Sequence, residues 1–103
     1  MILITGTVVV APENRAAFLD VARRQVTNSQ TEEGCLSYHC GEDAFTPGTF
    51  TVLERWRDAE AVQIHFTKDY SIAFASEMRR LAANSPVIEI HDVANVRNVT
   101  PRA

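Results

Sequence analysis

Two short runs of alternating character, 35–42 and 50–56, are separated by a link that carries Pro47-Gly48. That dipeptide fits the two central positions of a type II turn, where proline presets one φ and glycine supplies a positive one. The pair of runs therefore predicts an antiparallel hairpin, and every other element must be arranged around it. Within the first run, Leu36, Tyr38 and Cys40 are expected on one face, with Cys35, Ser37 and His39 on the other.

Upstream, residues 2–10 are β-branched and apolar at both alternations, the pattern of a strand covered on two sides. Pro12 opens a helix in which Phe18, Leu19, Val21, Ala22, Gln25 and Val26 share one side. Asp20, Arg23, Arg24 and Thr27 fall on the other. The polar run 28–31 ends that helix, and Gly34 marks the turn into the hairpin. Downstream, Asp58 is placed to cap a short helix over about 59–66. Asp69 is placed to cap another over about 70–83, with Tyr70, Phe74, Met78 and Leu81 as its apolar stripe. Pro86 closes the helical region, and 87–99 has the character of a long last strand.

The order β-α-β-β-α-α-β, over one domain spanning 1–103, predicts an α+β, ferredoxin-like split βαβ fold with a four-stranded antiparallel sheet. Helices cover only one face of such a sheet. The first strand is apolar on both faces, and the last alternates Ile88 and Ile90 with His91 and Val93. An antiparallel sheet facing water should instead be cleanly polar on its outer side. A second copy of the chain is the expected cover, giving a homodimer joined sheet to sheet with Val93 on the outward side.

Composition and motifs remove several classes of function. A 46% hydrophobic, 22% charged chain is ordinary globular material. No apolar run approaches the ~20 residues that cross a bilayer, so no membrane partner is expected. The start MILITGTVVV has neither a basic region nor a cleavage site and reads as a strand, not a signal peptide. A net charge of −3 gives no basic footprint for nucleic acid. Cys35 and Cys40 are expected on opposite faces of one strand, so they do not bridge; reduced thiols in a cytoplasmic protein are the simplest reading. No HxH, HExxH, phosphate loop, dinucleotide fingerprint or GxSxG elbow occurs, so neither a metal nor a cofactor is expected.

His65 is the leading candidate for chemistry. With Ala61 as origin, Val62, His65 and Phe66 share the inward arc of the short helix. One reading is a core histidine satisfied by a single hydrogen bond. The other is a pocket imidazole that orients or deprotonates an acidic ligand group. Tyr70 and Phe74 follow on the next helix, and Tyr38 adds a hydrogen-bonding wall if its face points that way. Glu54, inside the third strand, is either a buried carboxylate with a raised pKa or a partner in ion pairs with Arg55 and Arg57. Trp56 is expected in the core, with its indole N–H available to cap a loop carbonyl. A cavity of at least ~300 Å³ reached by His65 favours ligand binding, and a filled core favours the first reading.

The segments EEGCLSY and FTVLERWRDAEAVQIHF carry Gly34, Cys35, Tyr38, Glu54, Trp56 and His65, with Tyr70 following. In that order they resemble the antibiotic biosynthesis monooxygenase family, whose pattern is a PGCxxY strand, a strand ending ExW and a helix bearing histidine. Glu33 stands where the pattern has proline. The resemblance implies a dimeric α+β barrel and cofactor-independent oxidation of a quinol- or anthrone-like aromatic by O2. It further implies that His65 assists phenol deprotonation. Tyr38 and Tyr70 would hold oxygens, Phe66 and Phe74 would stack on the rings, and Glu54 would line the substrate site. Haem-degrading relatives use an asparagine, a histidine and a tryptophan; Gly6, His65 and Ala75 stand at the aligned positions, so that triad is absent. A non-catalytic barrel holding a small hydrophobic ligand, and an isomerase or lyase with His65 or Glu54 as base, are the alternatives on the same scaffold.

Overall fold

The computed structural model describes residues 1–101. Four strands, β1 (Ile2–Val9), β2 (Cys35–Glu42), β3 (Thr49–Trp56) and β4 (Val87–Asp92), form one antiparallel sheet in the order β2-β3-β1-β4. Three α-helices, α1 (Arg15–Ser29), α2 (Ala59–Thr67) and α3 (Asp69–Leu81), join them in the split βαβ arrangement that the element order predicts. The sheet's inner face buries Ile2, Ile4 and Val8 from β1 with Phe50, Val52, Glu54 and Trp56 from β3. Phe18, Val21 and Ala22 of α1 and Phe74, Met78 and Leu81 of α3 complete one core cluster over Val8 and Phe50. Ala61 and Val62 of α2 close a second over Ile2, Ile4, Tyr38 and Trp56.

The hairpin turn is the one its dipeptide predicts. Gly48 has φ 84°, and Thr49 N–H donates to Thr46 C=O at 3.2 Å. A Cβ at Gly48 would also lie 2.5 Å from the Val10 carbonyl oxygen, so both conformation and space demand glycine. Arg15 grips Glu42 with two hydrogen bonds, and the same carboxylate accepts from Gly48 N–H, tying the turn to the start of α1.

Four expectations are corrected. The pairing of β2 with β3 shifts between Cys35 and Ser37, an irregularity that drops Leu36 from the ladder. Cys35, Tyr38 and Cys40 consequently oppose Trp56, Glu54 and Val52 on the inner face, while Leu36 is half exposed; the cysteines share a face and remain free thiols. Asp69 is the first residue of α3, not its cap: Lys68 holds that position, its carbonyl accepting from Ser71 and Ile72. The Asp69 charge still complements the positive helix start. Helix α3 stops at Leu81, since Ala82 bridges Val10 and Ala83 N–H donates to Val9 C=O. Strand β4 ends at Asp92, which pairs with Ile2 at the start of β1. Val93 N–H donates to Met1 C=O, and 94–101 carry no strand.

The outer face carries Leu3, Thr5, Thr7 and Val9 of β1 and Thr51, Leu53 and Arg55 of β3, all half-buried or exposed. The two-sided cover expected for β1 is thus not supplied within one chain. No described helix is long and apolar enough to cross a membrane.

Candidate functional site

The site is built from α2 downward. Asp58 accepts the Ala61 N–H at 2.9 Å and starts the helix, placing Ala61, Val62 and His65 on its buried face. Gly34 is what lets α2 sit so close, since a Cβ there would meet the Ala61 Cβ at 2.3 Å. The His65 ring packs on Trp56, centroids 4.4 Å apart, and lies 5.8 Å from the Tyr38 ring. Only 3% of His65 is exposed.

Two carboxylates bracket that imidazole. Glu32 Oε2 lies 2.7 Å from Nδ1, and Glu54 Oε1 lies 3.9 Å from Nε2. Ser71 Oγ sits 3.3 Å from both ring nitrogens and accepts from Gln25 Nε2 at 3.1 Å. The Trp56 indole N–H donates to Glu54 Oε1 at 2.9 Å, so its partner is a carboxylate two residues away and not a loop carbonyl. Tyr70 O–H donates to Glu32 Oε2 at 2.5 Å.

Glu54 is the inward-facing carboxylate, and burial pushes its pKa up to about 7, against the opposing pull of hydrogen bonds from Trp56 and Tyr38. Burial, then the neighbouring Glu54, raises the Tyr38 phenol well above its ordinary range, so it is a neutral donor at physiological pH. Burial, then the bond to Glu32, does the same for Tyr70.

The Glu54 shift has a consequence for stability. A carboxylate whose folded pKa lies above its unfolded value of 4.5 binds more protons folded than unfolded between those limits. Its contribution is therefore fully present below about pH 4.5 and is lost as pH rises through about 7, a change of about 3 kcal/mol. Glu54→Gln should flatten this loss between pH 5 and 8 in urea unfolding; an unchanged slope would mean that the carboxyl is not buried as described.

Beside His65 lies a cavity of about 170 Å³. Gln25, Tyr38, Glu54, His65 and Ser71 make its polar end; Ile4, Val52, Phe66, Phe74, Ala75, Met78 and Ile88 make the apolar remainder. The structure thus brings His65, Tyr38, Glu54, Phe66 and Phe74 together. Phe66 is half exposed and stands at the mouth, not deep in the inward arc. Tyr70 does not line this cavity. It faces a separate cleft of about 350 Å³ with Thr31, Glu32, Lys68 and Arg57. At roughly half the ~300 Å³ set as the mark for ligand binding, the His65 cavity is neither a filled core nor a wide pocket.

Glu32, Ser71 and Gln25 are the residues that the sequence reading missed. Glu32 sits in a polar turn and looks solvent-facing, but its side chain is only 7% exposed. The signal available was indirect: an imidazole on an inward helical face requires a polar partner, and a carboxylate in the preceding turn is within reach. Among the described residues no three His, Cys, Asp or Glu side chains converge to hold a metal ion.

Comparison with known proteins places the family and agrees with the fold. The Bacillus subtilis protein named "Putative monooxygenase YcnE" is 32% identical over 81 residues, 79% of this chain and 85% of that protein. The crystal structure of a Caulobacter crescentus protein assigned as an antibiotic biosynthesis monooxygenase is 29% identical, with a TM-score of 0.83 over 91% of this chain and 90% of that one. One from Deinococcus radiodurans, similarly assigned, superposes with a TM-score of 0.90 over 98% of this chain and 100% of its own; at 22% identity it speaks to the fold alone. The family model for antibiotic biosynthesis monooxygenases matches residues 1–77, three quarters of the sequence. With the β-α-β-β-α hairpin scaffold and the buried histidine both inside that match, the chain belongs to the antibiotic biosynthesis monooxygenase family.

Proposed function

We propose that this protein is a cofactor-independent monooxygenase acting on a small, single-ring quinol. The observation that carries this reading is the 3.9 Å separation of His65 Nε2 and Glu54 Oε1 on the wall of a mostly apolar cavity. Two proton acceptors facing one apolar chamber suit a ring that presents a hydroxyl group. A volume of about 170 Å³ is close to the ~150 Å³ that accepts benzene in an engineered apolar cavity, so it favours one ring over a tricyclic anthrone.

In this reading the substrate O–H bond breaks and its proton passes to His65 Nε2. Tyr38 steadies the oxygen as a neutral donor, and Phe66 and Phe74 pack on the ring. The electron-rich quinolate then reduces O2, and a C–O bond forms at a ring carbon. The imidazolium returns its proton to the peroxide. Loss of the ring C–H proton and cleavage of O–O release water and leave a hydroxyquinone. One oxygen atom of O2 enters the product and the other leaves as water, so no external reductant is consumed.

Oxygen uptake on mixing with hydroquinone or a methylated hydroquinone, under metal chelation and without flavin, tests the proposal. The expected result is one O2 consumed per quinol, with one atom of ¹⁸O recovered in the quinone. Uptake with anthrone but not with single-ring quinols would reverse the size argument. Binding without uptake would favour the non-catalytic barrel.

The same proposal includes a homodimer joined through the outer sheet face. Leu53, 41% exposed, stands there opposite Thr5 and diagonal to half-buried Leu3, with half-buried Val9 further along the same face. Leu53→Asp should give monomers by sedimentation, while an unaltered dimer would place the interface elsewhere.

A further inference from the structure

The imidazole has two nitrogens: Nδ1 meets Glu32, which does not line the cavity, and Nε2 lies toward Glu54, which does. We propose that Glu32 is the positioning residue of the site: its carboxylate fixes the Nδ1–H tautomer of His65, leaving Nε2 as the acceptor presented to substrate. This deepens the quinol reading and rests on it for its kinetic part alone.

The geometry fixes the direction of the bond. An ionised carboxylate only accepts, so the nitrogen 2.7 Å from Glu32 Oε2 is the one that carries hydrogen. Neutral imidazole has one N–H, and Nε2, 3.3 Å from the Ser71 hydroxyl and 3.9 Å from Glu54, is then the ring's acceptor. Free histidine prefers the opposite tautomer, so a partner of fixed position is needed to hold this one. The turn supplies it. Glu32 N–H donates to Ser29 C=O and Cys35 N–H to Glu32 C=O, pinning the backbone on both sides of the side chain. Tyr70 O–H, on the next helix, clamps the same Oε2 from a second direction.

Charge completes the case. Glu32 Oε1 is buried and receives no hydrogen bond. A carboxylate left half-satisfied in a buried site is compensated most directly by a cation beside it. His65 becomes that cation at the moment it takes the substrate proton. Glu32 therefore acts twice, first by selecting the tautomer and then by stabilising the imidazolium. The Nδ1 proton stays in place throughout, and only Nε2 cycles between base and acid.

Glu32→Ala and Glu32→Gln separate these parts. In ¹⁵N spectra at pH 8, the wild-type ring should show a protonated Nδ1 and a bare Nε2. Glu32→Ala should move the population to Nε2–H. Glu32→Gln keeps an acceptor but not the charge, so kcat for quinol oxidation should fall about 100-fold with KM within about twofold. Glu32→Asp should recover part of that loss. An Nε2–H ring in the wild type, an Nδ1–H ring that survives in Glu32→Ala, or kcat unchanged in Glu32→Gln would each overturn the proposal. Failure of the wild type to consume O2 would instead sink the quinol reading, and the spectra alone would then decide the role of Glu32.

Discussion

Replacement of His65 by alanine is expected to reduce quinol-dependent oxygen uptake by about 10²–10⁴-fold, the range lost when a positioned general base is removed. The size of the effect follows from the surroundings. Tyr38 is held neutral by burial, so it does not substitute as a base. Glu54, at a pKa of about 7, is the one other acceptor on the cavity wall near neutrality, and it is already bonded to Trp56. Residual activity in the variant should therefore rise as pH increases through 7 and Glu54 ionises. Far-ultraviolet circular dichroism should be unaltered, since His65 lies on one inner face of a capped helix and makes no backbone bond with its side chain. Uptake within threefold of wild type would remove His65 from the mechanism.

The largest expected effect on stability is at Trp56. It is fully buried at the end of β3, edge-on to Tyr38 at 6.4 Å and tilted against His65 at 4.4 Å, and its N–H donates to Glu54. Trp56→Ala should cost about 3–5 kcal/mol through the cavity left behind. That is a large part of the about 5–15 kcal/mol that holds a typical domain together. Trp56→Phe keeps most of the packing but withdraws the donor from a buried carboxyl, for a loss of about 1–3 kcal/mol. It should also raise the Glu54 pKa further, because the bond that favours the ionised form is gone. Urea unfolding at pH 7 measures both variants. A loss below 1 kcal/mol in the alanine variant would contradict the packing described.

The elements that were legible in the sequence are those whose evidence is local. Pro47-Gly48 carried its own turn, and Asp58 its own cap. The spacing of Ala61, Val62 and His65 placed the imidazole inward without knowledge of what it faced. The elements that escaped depend on the rest of the chain. The irregularity at Leu36 reverses the alternation of β2 and brings Cys35 to the inner face, and no residue there announces it. The end of β4 at Asp92 falls at its pairing with Ile2, a contact 90 positions away that the composition of 93–99 does not reveal. Glu32 belongs to the second kind as well. Its burial comes from Gly34 letting α2 approach and from Tyr70 reaching back, contacts between residues 33 and 38 positions away from it in the case of His65 and Tyr70. Ser71, three residues before Phe74, took the inward place that the apolar stripe had given to Tyr70, whose hydroxyl instead reaches across to Glu32.

All of this turns on a small aromatic ring entering the chamber beneath α2 and α3. Titration of ¹³C-methyl and ¹⁵N-imidazole labelled protein with hydroquinone under argon tests it without requiring turnover. Saturable shifts should appear at Met78, Ile88 and both nitrogens of His65, with contacts from the ligand ring to Phe74. Shifts confined to the outer face around Leu53, or none at any concentration up to the solubility of the quinol, would contradict it.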